Sequence, residues 1–154
     1  MALKGDYNPV AEDVSFFMNE VAERGGIVVI STAGSGAALD QAGALVTYAA
    51  APSGKAILGL LEVDMVNIDQ TRQHINFYKD EVQKGGKVAV MTEGWAVTNQ
   101  IYPGVTPTAG ATAYLAHSGL VAITDLIGGA QKVGKFLSTK DEDGYAKIQV
   151  IPNV

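Results

Sequence analysis

The sequence has no cysteine, and this absence removes several kinds of chemistry at once. It excludes a disulfide framework, a thiolate nucleophile, and zinc or iron–sulfur centres that are held by thiolates. With 154 residues, of which 47% are apolar, the chain is long enough to be stabilised by its own hydrophobic core. We expect one compact domain of ordinary size.

Long apolar runs and basic clusters are also missing. No run approaches the roughly 20 apolar residues that cross a bilayer, and the first ten residues lack the apolar centre of a signal peptide. Lys and Arg number 11 against 16 Asp and Glu, so the formal net charge is −5 and nucleic-acid phosphate would repel the chain as a whole. We therefore expect a soluble protein, made in the cytoplasm, that binds neither nucleic acid nor membrane.

Groups suited to catalysis are few. His74 and His117 are the two histidines, and neither has the spacing of a metal-binding motif. Ser118 lacks the glycine that a nucleophile elbow places two residues before the serine. Residues 141–144 resemble a calcium loop only superficially, because a strand pattern follows, and a charged hairpin tip fits better. We expect no enzyme, no metal and no cofactor, unless the folded chain brings a histidine beside a carboxylate or pairs two carboxylates.

Short runs of β-branched and alternating residues, separated by glycine-rich turns, make up most of the chain. They predict strands at 27–30, 44–48, 56–61, 87–92, 95–98, 114–116, 120–123, 133–138 and 145–151. This pattern predicts a mainly β fold, an antiparallel β-barrel or sandwich with an extended N-terminal arm and at most one or two short helices.

Turn residues predict how some of these strands connect. Segments 51–54, 117–119 and 141–144 each fit a hairpin connection between the strands on either side. Glu93 and Gly94 fit either a tight turn or a bulge.

The N-terminal region is predicted in two parts. Residues 1–12 have no apolar period and predict an extended arm, and residues 13–154 are expected to form a single β-rich domain. Residues 14–24 fit a capped helix with aromatic side chains on one face, and they also alternate as a strand does. Both alternatives are open at this point.

The segment 66–87 is the most polar long stretch of the chain. Its apolar residues fit the inner side of a short helix or strand, with the charges as ordinary solvated surface. The alternative is a recognition surface, because arginine and tyrosine are enriched among the residues that dominate interfaces. The polar residues concerned are Arg72, His74, Asn76, Tyr78, Lys79 and Asp80.

Two segments, NIDQTRQHINFYKDEVQKGG at 67–86 and VGKFLSTKDEDGYAKIQVIPNV at 133–154, resemble capsid decoration proteins of tailed bacteriophages, also called cement or head-stabilising proteins. The segment AGALVTYAAAPSGKAILGLL at 42–61 is similar to the small β-barrel unit of such proteins, and together the three cover about half of the chain. The resemblance implies a structural virion protein on the outer capsid surface that cements neighbouring major capsid subunits. It would place the capsid contact on Asp6, Tyr7, Asn8 and Pro9 of the arm and on Arg72, His74, Asn76, Tyr78, Lys79 and Asp80.

The partner would then be the major capsid protein, and a homotrimer or homodimer is compatible with the same strand pattern. The alternative is a carbohydrate- or receptor-binding β module on the virion surface, for which Tyr102 is the obvious loop aromatic. A major capsid protein is disfavoured, because the chain is short for a shell-forming fold.

Overall fold

The computed structural model describes residues 3–34, 44–64, 81–82 and 84–151. Within these residues the structure is almost entirely β, which confirms the predicted fold class, and a single 3-10 turn at His117–Gly119 is the only helical element. The strands are β1 (Leu3–Met18), β2 (Ala22–Glu23), β3 (Ile27–Thr32), β4 (Leu45–Thr47), β5 (Ile57–Asp64), β6 (Glu81–Val82), β7 (Lys87–Thr98), β8 (Thr112–Leu115), β9 (Val121–Ala122), β10 (Lys132–Phe136) and β11 (Ala146–Val150).

Nine of the strands form one sheet that is partly closed into a ring. Their order is β1-β4-β3-β5-β7-β11-β10-β8-β9, and β1 pairs with β7 as well as with β4. This additional pairing closes β1, β4, β3, β5 and β7 into a ring. Its pairings are antiparallel except for the parallel contact of β1 with β4, which consists of Phe17 with Leu45 and Met18 with Val46.

The long strand β7 joins the two halves of this sheet. One edge pairs with β1 from Thr98 to Lys87, whereas the other edge pairs with β5 over 88–91 and with β11 over 94–98. The first half of β7 therefore belongs to the ring, and the second half begins the series β7-β11-β10-β8-β9. That series returns to the chain just after β7, because Val121 of β9 bridges to Ile101.

The buried apolar side chains form two groups, and strands of the ring contribute to both. In β5 and β7, neighbouring residues belong to different groups: Leu60 and Met91 to the larger, Leu61 and Val90 to the smaller. Successive side chains of a strand point to opposite faces, so both faces of these two strands are buried, and their apolar runs read as continuous. The smaller group is Met18, Val28, Val46, Leu61, Val82, Val88 and Val90.

The strand connections agree with the sequence where the pairing is local. The hairpins predicted across 117–119 and 141–144 are confirmed as the pairs β8–β9 and β10–β11. The hairpin predicted across 51–54 is wrong, because β3 lies between β4 and β5 and pairs with both. Turn residues show that the chain reverses direction, but not which strand it meets afterwards.

At Glu93 and Gly94 the structure has a bulge and not a turn. Strand β7 continues through both residues, and the register with β1 shifts between Pro9 and Ala11, opposite this point. Gly94 has a φ of 147°, and a Cβ there would lie 2.5 Å from the carbonyl oxygen of Asn8. Only glycine allows β1 to approach β7 this closely.

The open question over residues 14–24 is answered in favour of extended structure. Strand β1 continues to Met18, and residues 22–23 form the short strand β2, which pairs with β6. The partner that decides this is Lys87–Val90 of β7, which pairs with residues 13–17. That contact is far away in sequence, so local periodicity could not reveal it.

The tip of the β10–β11 hairpin is organised by Asp141. Its Oδ1 accepts hydrogen bonds from the backbone N–H groups of Asp143, at 3.0 Å, and Tyr145, at 2.8 Å. We expect Asp141→Ala to lower the free energy of unfolding by about 1 kcal/mol, since a charged acceptor for two N–H groups is lost at an exposed turn. Urea denaturation measures this loss, with Glu142→Ala in the same turn as the control. Equal unfolding midpoints for the two variants would show that the Asp141 contacts contribute nothing.

Candidate interaction surface

The structure describes four of the ten predicted interface residues. The other six lie outside the described residues, so their role stays a prediction; they are Arg72, His74, Asn76, Tyr78, Lys79 and Asp80. Asp6, Tyr7, Asn8 and Pro9 lie in β1, along the second half of β7. Of these, Asn8 is exposed, and Tyr7 and Pro9 are half-buried. From Leu3 onward, the residues of the predicted arm are therefore extended and paired with β7.

The register places Asn8 at one end of a row of side chains. Directly paired residues on neighbouring strands project from the same face of a sheet. All members of the row are exposed or half-buried, whereas the residues that alternate with them belong mainly to the larger core group. In order from β1 through β7, β11 and β10 to β8, the row is Asn8, Trp95, Gln149, Lys135 and Thr112.

Two contacts between lysine and aromatic side chains lie on this face. Nζ of Lys147 is 3.8 Å from the centroid of the Trp95 ring, and Nζ of Lys4 is 4.5 Å from the centroid of the Tyr145 ring. Each contact is worth roughly 0.5–1 kcal/mol at an exposed site, and it restricts where the ammonium group can be. We call this surface the Lys–Trp face; it consists of Lys4, Asn8, Trp95, Thr112, Lys135, Tyr145, Lys147 and Gln149.

A shallow depression of about 320 Å³ adjoins the β8–β10 end of the Lys–Trp face. Lys132 and Lys135 line it together with Thr112, Gly134 and Ile151, and the Ile151 side chain is 43% exposed. The surface therefore combines ammonium groups with an accessible apolar side chain.

Strand β1 adds an open edge. Among the described residues, its partners on the side away from β7 are confined to β4, opposite Phe17 and Met18. Val10 is 70% exposed and Val14 42% exposed along this strand. Pro9 and four register shifts along the pairing with β7 make the edge irregular, and such features discourage uncontrolled pairing with other strands.

A second depression of about 320 Å³ is bordered by Glu20, Glu23, Tyr48, Gln100 and Ser118. Internal hydrogen bonds engage its polar groups: the Tyr48 hydroxyl accepts from the N–H of Gly26 at 2.9 Å and donates to the carbonyl of Glu23 at 2.6 Å. Oε1 of Glu20 accepts from the backbone N–H of Tyr48 at 2.7 Å. Burial raises the pKa of Tyr48 far above its ordinary value. This region joins β4 to the segment that contains β2.

His117 and Ser118 also make structural contacts. Nδ1 of His117 lies 2.7 Å from the carbonyl oxygen of Ala50, and the N–H of Ser118 donates to the carbonyl of Ala49 at 2.8 Å. These contacts fix the 3-10 turn against the segment that follows β4. Within the described ranges, no three His, Asp or Glu side chains are grouped as a metal ion would require.

The sequence reasoning missed a buried carboxyl group on β5. Glu62 is 2% exposed, and burial, together with a hydrogen bond and charge repulsion from Glu12, raises its pKa to about 8. Among the residues that the structure describes, Oε1 of Glu62 has no hydrogen-bond partner. Two carboxyls that share a hydrogen bond are closer together than the pair of a glycosidase, which is separated by about 5 Å or more. The signal in the sequence was a single glutamate within the apolar run 57–63.

Strands β1 and β5, which carry Glu12 and Glu62, flank β7 on opposite edges.

In the part of the chain that the structure covers, no helix has the length and hydrophobicity needed to span a bilayer. Comparison of the chain with protein-family models and with curated proteins gave no match.

Proposed function

We propose that the protein is a structural component of a phage head, which binds the outer surface of the shell and cements neighbouring major capsid subunits. The Lys–Trp face is the observation that carries this proposal. It is an accessible sheet surface across five strands, with a tryptophan and several lysines, and it includes Asn8, which the resemblance to decoration proteins implies as a contact residue.

The size of this face fits repeated, weak contacts. Five strands about 4.8 Å apart, with about five residues each at roughly 3.3 Å, present on the order of 300–400 Å². A stable interface buries about 800 Å² on each partner, so the face alone supplies roughly half of that. A copy that also uses the β1 edge, or that bridges two subunits, gains the missing stability through multivalency. Such contacts form only on an assembled lattice, and their formation stabilises the shell.

Cosedimentation with expanded, undecorated heads tests the proposal. We expect saturable binding to expanded heads and none to unexpanded proheads. Trp95→Ala should weaken this binding at least about tenfold, because tryptophan at the centre of an interface contributes on the order of 2 kcal/mol or more. The matched control is Tyr102→Ala, which removes an aromatic side chain outside the Lys–Trp face. Circular dichroism spectra of both variants should equal that of the wild type.

Two results would contradict the proposal. Wild-type protein that does not sediment with heads of the matching phage would remove the decoration function, and a positive glycan array would then favour the carbohydrate-binding alternative. If the Trp95→Ala variant instead binds heads at the same occupancy as the wild type, the Lys–Trp face is not the contact.

A further inference from the structure

The Lys–Trp face differs in charge from the rest of the protein. Lys4, Lys135 and Lys147 lie on it and Lys132 lies beside it. None of the eight residues that define it is Asp or Glu, and the Asp141 carboxylate adjoins it at the backbone N–H of Tyr145. In β7, the acidic residue nearest to Trp95 in sequence is Glu93, which lies at the bulge opposite Ala11. The acidic residues of the β10–β11 hairpin are at its tip, in segment 141–143. Since the whole chain has a net charge of −5, the remainder of the protein is more acidic still.

Two of these lysines are positioned before any partner binds. The ring of Trp95 holds the Lys147 ammonium and the ring of Tyr145 holds that of Lys4. A lysine that is already held over a ring loses less conformational freedom on binding than a free one does. Ammonium groups are hydrogen-bond donors without acceptor capacity, so they select a partner surface that is rich in acceptors and negatively charged.

We infer that the Lys–Trp face docks onto a surface of carboxylate side chains, so that the subunits it joins present Asp and Glu clusters at this contact. The inference rests on the proposed function and adds the chemistry of the partner. Carboxylates match the ammonium groups of Lys135 and Lys147, and the depression lined by Lys132, Lys135 and Ile151 accepts an apolar side chain beside Lys135. The acidic remainder of the protein is repelled by the same partner surface, so association favours the orientation in which this face leads.

Charge reversal on the face tests the inference. Lys135→Glu/Lys147→Glu is compared with Lys55→Glu/Lys84→Glu, which makes the same change in net charge at two exposed turn positions. The probes are immobilised poly-L-glutamate and expanded heads, each in a series of NaCl concentrations. We expect wild type and control to bind both probes, with affinity that falls as salt rises, and the face variant to bind at least tenfold more weakly. Lys135→Arg/Lys147→Arg should retain binding.

The outcomes separate this inference from the proposed function. If poly-L-glutamate retains the wild type but not the face variant, and heads bind neither, the inference stands and the decoration function fails. If heads bind the face variant as well as the wild type, the inference is overturned. Retention on heparin but not on poly-L-glutamate would also overturn it, in favour of a phosphate- or sulfate-bearing partner. A third result would overturn it as well: the wild type forms oligomers in sedimentation velocity, the face variant does not, and both bind heads equally. The acidic hairpin tip of a second copy would then be the occupant of the face.

Discussion

Gly134→Ala should be among the most destabilising single substitutions in the chain. A Cβ at this position would lie 1.8 Å from the carbonyl oxygen of Gln149 and 2.9 Å from its carbonyl carbon. Both are backbone atoms of β11, which pairs with β10 on one side and β7 on the other, so they cannot move aside independently. We expect a loss of about 3 kcal/mol or more, from a total that is typically 5–15 kcal/mol for a domain.

Urea denaturation measures this loss, and Gly54→Ala provides the control. Gly54 has a φ of 75°, and no atom of the described residues would lie within 4 Å of a Cβ there, so alanine costs only the left-handed conformation, about 1 kcal/mol. Equal losses for the two variants would mean that β10 and β11 tolerate a side chain between them. Under the proposed function, a folded Gly134→Ala protein should also bind heads more weakly, since the clash involves the backbone of Gln149 and lies next to Lys135, and both residues belong to the Lys–Trp face.

Glu62→Gln should remove a pH dependence of stability. The pKa of Glu62 is about 8 in the folded protein and near the ordinary 4.5 in the unfolded chain. The folded state therefore holds more protons between these values, and stability is greatest below about pH 4.5 and falls as the pH rises to about 8. One pKa unit corresponds to 1.36 kcal/mol, so the difference between 4.5 and about 8 predicts that the wild type loses on the order of 5 kcal/mol from this group. Glutamine stays neutral and should be more stable than glutamate at pH 9.

Urea denaturation at pH 5, 7 and 9 measures the slope of the free energy of unfolding against pH for each variant. Glu12→Gln is the matched variant, because it removes the neighbouring charge but leaves Glu62 buried. Burial is the larger cause of the raised pKa, so Glu12→Gln should keep most of the slope, and Glu62→Gln should lose that contribution. Identical slopes for wild type and Glu62→Gln would show that this carboxyl is ionised in the folded protein at neutral pH.

The sequence predicted those features that are encoded locally. The strand β3 follows from its β-branched run, and the β10–β11 hairpin follows from alternation on either side of Asp143 and Gly144. The position of β3 between β4 and β5 did not follow, because a turn between two strands carries no information about a third strand that enters between them. The parallel contact of β1 with β4 did not follow either, because it joins residues that are far apart in sequence.

The candidate surface was predictable only in part. Asn8 was among the predicted contacts, but its neighbours Trp95 and Gln149 are brought to it by the register of β7 with β1 and β11. The contact between Trp95 and Lys147 joins residues that are far apart in sequence, and no periodicity reports such a pair. The burial of Glu62 could not be predicted from the sequence either, since a glutamate in an apolar run can lie on an exposed edge or, as here, be buried.

The sharing of β7 between the two halves of the sheet has a consequence for the order in which the protein can form during synthesis. Leu3 pairs with Thr98. The pairing of β1 with β7 therefore cannot be completed until about two thirds of the chain has been synthesised. The strands that complete the Lys–Trp face, β8, β10 and β11, are made later still. Contacts between distant residues form slowly and leave strand edges exposed meanwhile. A chain that lacks these later strands therefore cannot display the complete Lys–Trp face.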